Sequence, residues 1–421
     1  MVGLIAILGL IFAAAFLVAS SRLPERLKLL IYAALLMRAV GSWIRYTVLF
    51  DFYGGTGDAR AYYRGGVAYA ERFWQLDFSP FYDSSLWLRG DKWWGTQFVY
   101  FPSGIVQAVF GADILGAFIV FSLLSFLGLV GFAVAFRRSF PEAPLHRYVR
   151  WIWFFPSLWY WPSSVGKEAI VLLGIGLCIW GFAGFRNRIS WPLLAAGIFL
   201  VFGIRPQVAA VVIFSLILGH WLSLGARWSF KKAVQGALLL AVGLWGIWLS
   251  MHYIGVGGFD IEGVQDYMEG KAGSGGDAGS GIDEVEVGLA GVPLALLNIL
   301  FRPFPWEAHN LMAIFSSLEI WAFWGIVCFR RKSLAQGLRH WRSHRLMTTA
   351  LVFVLFYSVT LGMVISNMGI IARQRVFLFP FFFLLLEAGS GLARRRVRAP
   401  QPVPYVPQAQ PPRLTTESRL R

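Results

Sequence analysis

Residues 114–136, ILGAFIVFSLLSFLGLVGFAVAF, carry no charge from end to end and stop at Arg137 and Arg138. The hydrocarbon core of a bilayer is roughly 30 Å thick, and a helix needs about 20 apolar residues to cross it. This run is long enough, and the two arginines set its end in the headgroup layer. Read outward in the same way, the chain predicts helices over 2–19, 29–50, 113–136, 148–162, 168–185, 190–204, 207–224, 233–255, 310–329, 346–366 and 376–391. The expected fold is all-α, a polytopic membrane helix bundle of about eleven transmembrane helices.

Composition points the same way. Hydrophobic residues make up 57% of the chain and charged residues 14%, with a mean hydropathy of +0.60; soluble domains hold about 45–50% and about 25%. The alternation of a transmembrane β-barrel is absent. A net charge of +16 would suit nucleic acid only as a patch on a soluble surface. Here the cations sit in short loops between apolar runs, so no nucleic-acid partner is expected. Cys178 and Cys328 fall inside apolar runs and read as small buried hydrophobes. The six histidines show no metal-ligand spacing, and no metal or other cofactor is expected.

Orientation follows from the loops. Arg22, Arg26 and Lys28, then Arg137, Arg138, Arg147 and Arg150, Arg186 and Arg188, Arg227, Lys231 and Lys232, the cluster from Arg330 to Arg345, and Arg394 to Arg398 occupy every second loop and the tail. All are cytoplasmic at once if the amino terminus is outside and the carboxyl terminus inside a plasma membrane. Most acidic residues fall in the alternate loops, among them Asp51, Asp58, Glu71, Asp77, Asp83 and Asp91. The first helix is read as retained, because it lacks the basic start of a signal peptide.

Residues 1–391 form the expected transmembrane bundle. Within it, 51–112 is an outer loop dense in Trp and Tyr, suited to interfacial helices. Residues 257–290 are Gly-rich and acidic and read as a flexible outer loop, and 392–421 as a disordered, basic, Pro-rich cytoplasmic tail.

Several groups on the expected outer side have chemistry to offer. Asp58 follows Thr56 and Gly57 and precedes Tyr62 and Tyr63. On a helix, Asp58 and Tyr62 share a face one turn apart. A carboxylate there is a candidate general base, and the plain structural alternative is a helix cap. Pro162, Ser163 and Ser164 break one helix and cap the next, which then opens with Lys167 and Glu168, a candidate phosphate site at a helix start. Arg205, Arg302, Arg373 and Arg375 stand at outer helix ends, against the positive-inside trend. An arginine fork suits a lipid phosphate, although each singly also reads as a snorkelling side chain. Arg38 and Glu319 fall near the middle of predicted helices, where charges cost about 2.5–3.5 kcal/mol each unless paired or facing a cavity. They are candidates to pair with each other. Arg45, two turns outward from Arg38, is placed to reach the phosphate region.

Gly57-Asp58-Ala59 with Tyr62 and Tyr63, Pro162-Ser163 followed by Lys167-Glu168, and the later outer arginines together resemble the membrane-embedded C-type (GT-C) glycosyltransferase superfamily. The resemblance covers roughly residues 30–225. It implies a GT-C-like bundle acting outside the membrane on a polyprenyl-phosphate-linked sugar donor, with a glycan, lipid or protein acceptor. It maps the catalytic base onto Asp58 and the second acidic residue onto Glu168. Lipid-phosphate binding maps onto Arg205, Arg302, Arg373 and Arg375. The chain departs from the family's pattern in placing this loop after its second helix rather than its first. The implied reaction is an inverting, metal-independent displacement in which arginines stabilise the departing lipid phosphate.

Two other functions fit the same residues. A polysaccharide polymerase or ligase acting on undecaprenyl-linked glycans would depend on outer arginines more than on Asp58. A flippase for a lipid-linked substrate would line a path with charge, yet Arg38 and Glu319 are nearly the only charges read within the spans.

Overall fold

The computed structural model describes residues 2–55, 57–90, 92–184, 188–223, 290–308, 310–365 and 367–398, with isolated positions between 230 and 241. Every regular element among the described residues is helical. In chain order these are α1 (Val2–Ala19), α2 (Glu25–Thr47, extended by a π turn over Val48–Phe52), α3 (Asp58–Trp74), α4 (Thr96–Phe110) and α5 (Ile114–Ser139). They are followed by α6 (Leu145–Phe154), α7 (Pro156–Tyr160), α8 (Lys167–Ala183), α9 (Trp191–Ile204) and α10 (Pro206–Leu222). The rest are α11 (Val292–Phe301), α12 (Leu311–Phe329), α13 (Arg331–Arg339), α14 (Arg345–Val364), α15 (Met368–Gln374) and α16 (Phe379–Arg398).

Four segments are long and apolar enough to cross a membrane: Glu25–Phe52, Ile114–Ser139, Leu311–Phe329 and Arg345–Val364. A fifth forms if the pair Met368–Phe377 and Phe379–Leu392, bent by 45°, counts as one span. This is the character of an integral membrane protein. The single helix expected over 148–162 is instead α6 and α7, broken where Phe155 turns extended ahead of Pro156, which lacks the amide to continue an incoming helix. α11, not among the helices expected from the sequence, is apolar but only 10 residues long, too short to span. The last helix runs through Arg398, into the segment expected as tail. The expected span 233–255, loop 257–290 and tail beyond Arg398 lie outside the described residues, apart from isolated positions.

The core is built on α8, buried on nearly every face. Glycines let its backbone approach both neighbours: a Cβ on Gly176 would lie 2.1 Å from the Gly128 carbonyl oxygen of α5, and one on Gly174 2.8 Å from the Gly197 oxygen of α9. Lipid supplies no hydrophobic drive for helices to associate, so van der Waals contact at short range does it. Cys178 is buried against α9, as expected, whereas Cys328 is exposed on α12.

The segment 51–112 folds as an amphipathic pair. Along α3 the buried Tyr62, Gly66, Tyr69 and Phe73 recur at helical spacing and pack on α4. There Tyr62 meets Tyr100 edge-on at 5.5 Å, and the Ser103 hydroxyl donates to the Tyr62 carbonyl at 2.9 Å.

Candidate functional site

Three interruptions of helix meet at one end of the bundle. Residues 161–166, between α7 and α8, are non-helical; Trp161 is partly exposed and Pro162 to Gly166 are buried. The chain from Arg302 to Pro305 leaves α11, and α15 is set off from α16 by the 45° bend. Irregular backbone at membrane depth is tolerated only where protein or a cavity satisfies it. Such breaks are where membrane proteins place polar chemistry.

The starts of α3, α4, α8 and α10 converge beside these breaks. The amide of Gly95 donates to the Gly203 carbonyl at 2.7 Å, tying the start of α4 to the end of α9. Lys167 Nζ donates to Thr96 Oγ1 at 2.9 Å, and Arg205 pairs with Glu168 at 3.3 Å. Tyr62 shares a side-chain hydrogen bond with Thr96. Burial pushes its phenol well above the usual range, and the negative charges of Asp58 and Glu168 add to the shift. Both carboxylates therefore lie within electrostatic reach of one hydroxyl. Asp58 itself is exposed. Gly57, with φ 135°, holds the N-cap position without a side-chain cap bond, and Asp58 opens the first turn. That positive φ demands glycine. Asp58 is thus one residue inside the helix rather than its cap.

A second cluster forms on Trp161. The Arg45 guanidinium lies 5.1 Å from the Trp161 ring centroid and 5.2 Å from that of Tyr160, and it donates to the Tyr160 hydroxyl at 3.2 Å. Arg373 lies 5.5 Å from the same indole. Neither arginine has an ion pair among the described residues. Two cations on one indole, neither in an ion pair among the described residues, leave guanidinium donors for an anion. Glu168 lies within electrostatic reach of Arg205, Arg373 and Lys167, so the two clusters form one polar end.

Other expected site residues are engaged internally. Arg302 is held by Glu307 at 2.6 Å and by Asn298 at 3.2 Å. Arg375 is only 4% exposed and donates to the Arg302 carbonyl. Both brace the break after α11, although each looked in sequence like a phosphate ligand. Tyr63 turns from Tyr62 and donates to the Ala112 carbonyl at 3.2 Å, joining α3 to the start of α5.

Arg38 and Glu319 do not pair with each other. Arg38 donates to the Leu158 carbonyl at 2.8 Å, and Glu319 accepts from the Ser157 amide at 2.6 Å and from the Ser157 hydroxyl. Breaking the chain at Pro156 orphans backbone groups of α7, and the two charges satisfy them from either side.

The opposite end carries the basic loops. Arg138 and Arg345 donate to the carbonyls of Gly184 and Ala183 at the end of α8, at 2.7 and 3.0 Å, and Arg342 donates to Leu222 at the end of α10, at 3.0 Å. Cations at helix carboxyl ends satisfy free carbonyls and favour the helix dipole. Glu387 was missed in sequence. Fully buried on α16, it pairs with Arg147 at 3.3 Å and Arg330 at 3.1 Å, and accepts from the Trp151 indole at 3.0 Å. Its one signal was a lone carboxylate inside an apolar run.

Comparison with family models, curated proteins and solved structures found no match.

Proposed function

We propose that the chain is a membrane glycosyltransferase that takes a sugar from a polyprenyl-phosphate donor and passes it to an envelope acceptor on the outer face of the plasma membrane. The observation that carries this reading is the pair Arg45 and Arg373 on Trp161, two cations with no ion pair among the described residues, at the end of the bundle that holds Glu168 and Arg205. A lipid phosphate supplies the missing anion, and buried non-helical backbone beside it suits a substrate entering from the membrane.

In this reading the acceptor oxygen attacks the anomeric carbon and gives its proton to the Asp58 carboxylate. The bond from that carbon to the phosphate oxygen breaks, and its electron pair leaves on the lipid phosphate, where Arg45 and Arg373 offset the charge. Glu168 holds Arg205 in place, and Lys167 and Thr96 position Tyr62. The fold belonging to this function is a GT-C-like bundle of about eleven spans with the amino terminus outside and the carboxyl terminus cytoplasmic.

The exposure of Asp58 favours a second reading, a polymerase or ligase acting on undecaprenyl-linked glycans through its arginines alone. Transfer from a radiolabelled polyprenyl-phosphate sugar in proteoliposomes separates the two. The first reading expects Asp58→Asn and Arg373→Ala each to lower turnover by about 10²-fold or more. If Asp58→Asn transfers normally while Arg373→Ala is inactive, the second holds; if neither matters, both fail.

A further inference from the structure

The end of the bundle opposite this site carries a groove of about 460 Å³ between α6 and the last turns of α12, lined by Trp151, Gly325, Ile326, Phe329 and Arg330 among others. Its walls are apolar except for Arg330 at its end. Among the described residues, a Cβ on Gly325 would meet nothing within 4 Å, so this side of α12 has room at the trough. Phe329 is 90% exposed, and only 22% of the most apolar stretch of α12 is buried within the protein. In a membrane, the surroundings of such a wall are lipid chains.

Charge gathers where the groove ends. Arg330 and Arg147 both pair with the carboxylate of Glu387. Arg331 and Lys332 follow as the first residues of α13; both are exposed and make no ion pair among the described residues. Their helix is anchored: a Cβ on Gly337 would lie 2.4 Å from the Leu385 carbonyl oxygen and one on Gly389 2.1 Å from that of Ser333. The cations therefore stand at a set place beside the trough. The indole of Trp151, its N–H fixed on Glu387, marks the boundary between apolar wall and charge.

We infer that this groove binds one anionic phospholipid, with an acyl chain lying along Gly325 and Phe329 and its phosphate against Arg330, Arg331 and Lys332. A zwitterionic lipid offers the same chain but brings its own ammonium, which the charges of Arg331 and Lys332 disfavour. The site lies at the other end of the bundle from the proposed transfer chemistry and does not depend on it.

Native mass spectrometry of the full-length protein, delipidated in detergent and titrated with phosphatidylglycerol or phosphatidylcholine of identical chains, tests this. The first phosphatidylglycerol is expected to bind more tightly than the first phosphatidylcholine. Arg331→Ala with Lys332→Ala should weaken phosphatidylglycerol by about fivefold per charge, roughly 25-fold together, and leave phosphatidylcholine unchanged. Gly325→Trp should fill the trough and remove the first site for both lipids. Equal affinity for the two lipids, a preference that survives the double substitution, or a first lipid retained by Gly325→Trp would each overturn the proposal. Should Gly325→Trp fail to fold, the double variant decides alone, since both its side chains are exposed.

Discussion

Glu168 and Arg205 meet at 3.3 Å where α8 begins beside the junction of α9 and α10, each with 13% of its side chain exposed. Each neutralises a charge the other would leave stranded among apolar helices. Glu168→Ala should therefore destabilise the protein by about 3 kcal/mol, and Glu168→Ala with Arg205→Ala by less than the sum of the two single changes. A double-mutant cycle on unfolding in detergent measures the coupling, and a value near zero contradicts the pairing.

The contact of α5 with α8 admits no side chain at Gly176, where a Cβ would stand 2.1 Å from the Gly128 oxygen. Gly176→Leu is expected to cost about 3 kcal/mol or more, or to abolish folding, because neither backbone can withdraw without opening the core. Gly9→Ala is the control, since a Cβ there meets nothing within 4 Å. Thermal unfolding of the two variants should differ sharply.

Removing the charge of Glu387 should be severe. Glu387→Gln takes the shared carboxylate from Arg147 and Arg330, and breaking a buried ion pair from one side costs about 3–5 kcal/mol. Retention of wild-type stability by this variant, measured as a thermal shift, would rule out the clamp.

His344 makes stability depend on pH. It precedes α14, and its Nδ1 accepts from the Leu346 amide at 3.2 Å, which requires the neutral ring. Burial, with the adjacent Arg345 charge, pushes its pKa from 6.5 down to about 4. Between these values the unfolded chain binds the proton and the folded protein does not. The contribution of His344 is thus fully present above 6.5 and is lost as pH falls towards about 4. Unfolding temperatures measured across this window should fall with pH in the wild type and fall less in His344→Asn, which keeps an acceptor but does not titrate.

The helical character, the break at Pro162 and the gathering of cations in the loops were legible in the sequence, whereas α8 starts behind Gly166 without the side-chain cap expected from Ser163 and Ser164. Each legible feature depends on residues contiguous or close in the chain: an uncharged run such as 114–136, a proline without an amide, a charge where a helix leaves apolar surroundings. The cap of α3 was not: Gly57 holds the position that the sequence offered to Asp58.

The partners of the charges were not. Arg38 and Glu319 looked like a pair because two buried charges need compensation, but the break at Pro156 offered each a backbone group instead. Arg302 and Arg375 shared the sequence context of Arg373, yet one is held by Glu307 and the other lies buried beneath it, leaving Arg373 with Arg45 on Trp161. The pairing of Arg302 with Glu307 is local, but Arg38 with Leu158, Glu319 with Ser157 and Trp151 with Glu387 join helices more than a hundred residues apart in the chain. Apolar period and charge determine that a helix forms and which end meets water; only the packing of one helix against another determines which buried charge finds a partner and which is left for a ligand.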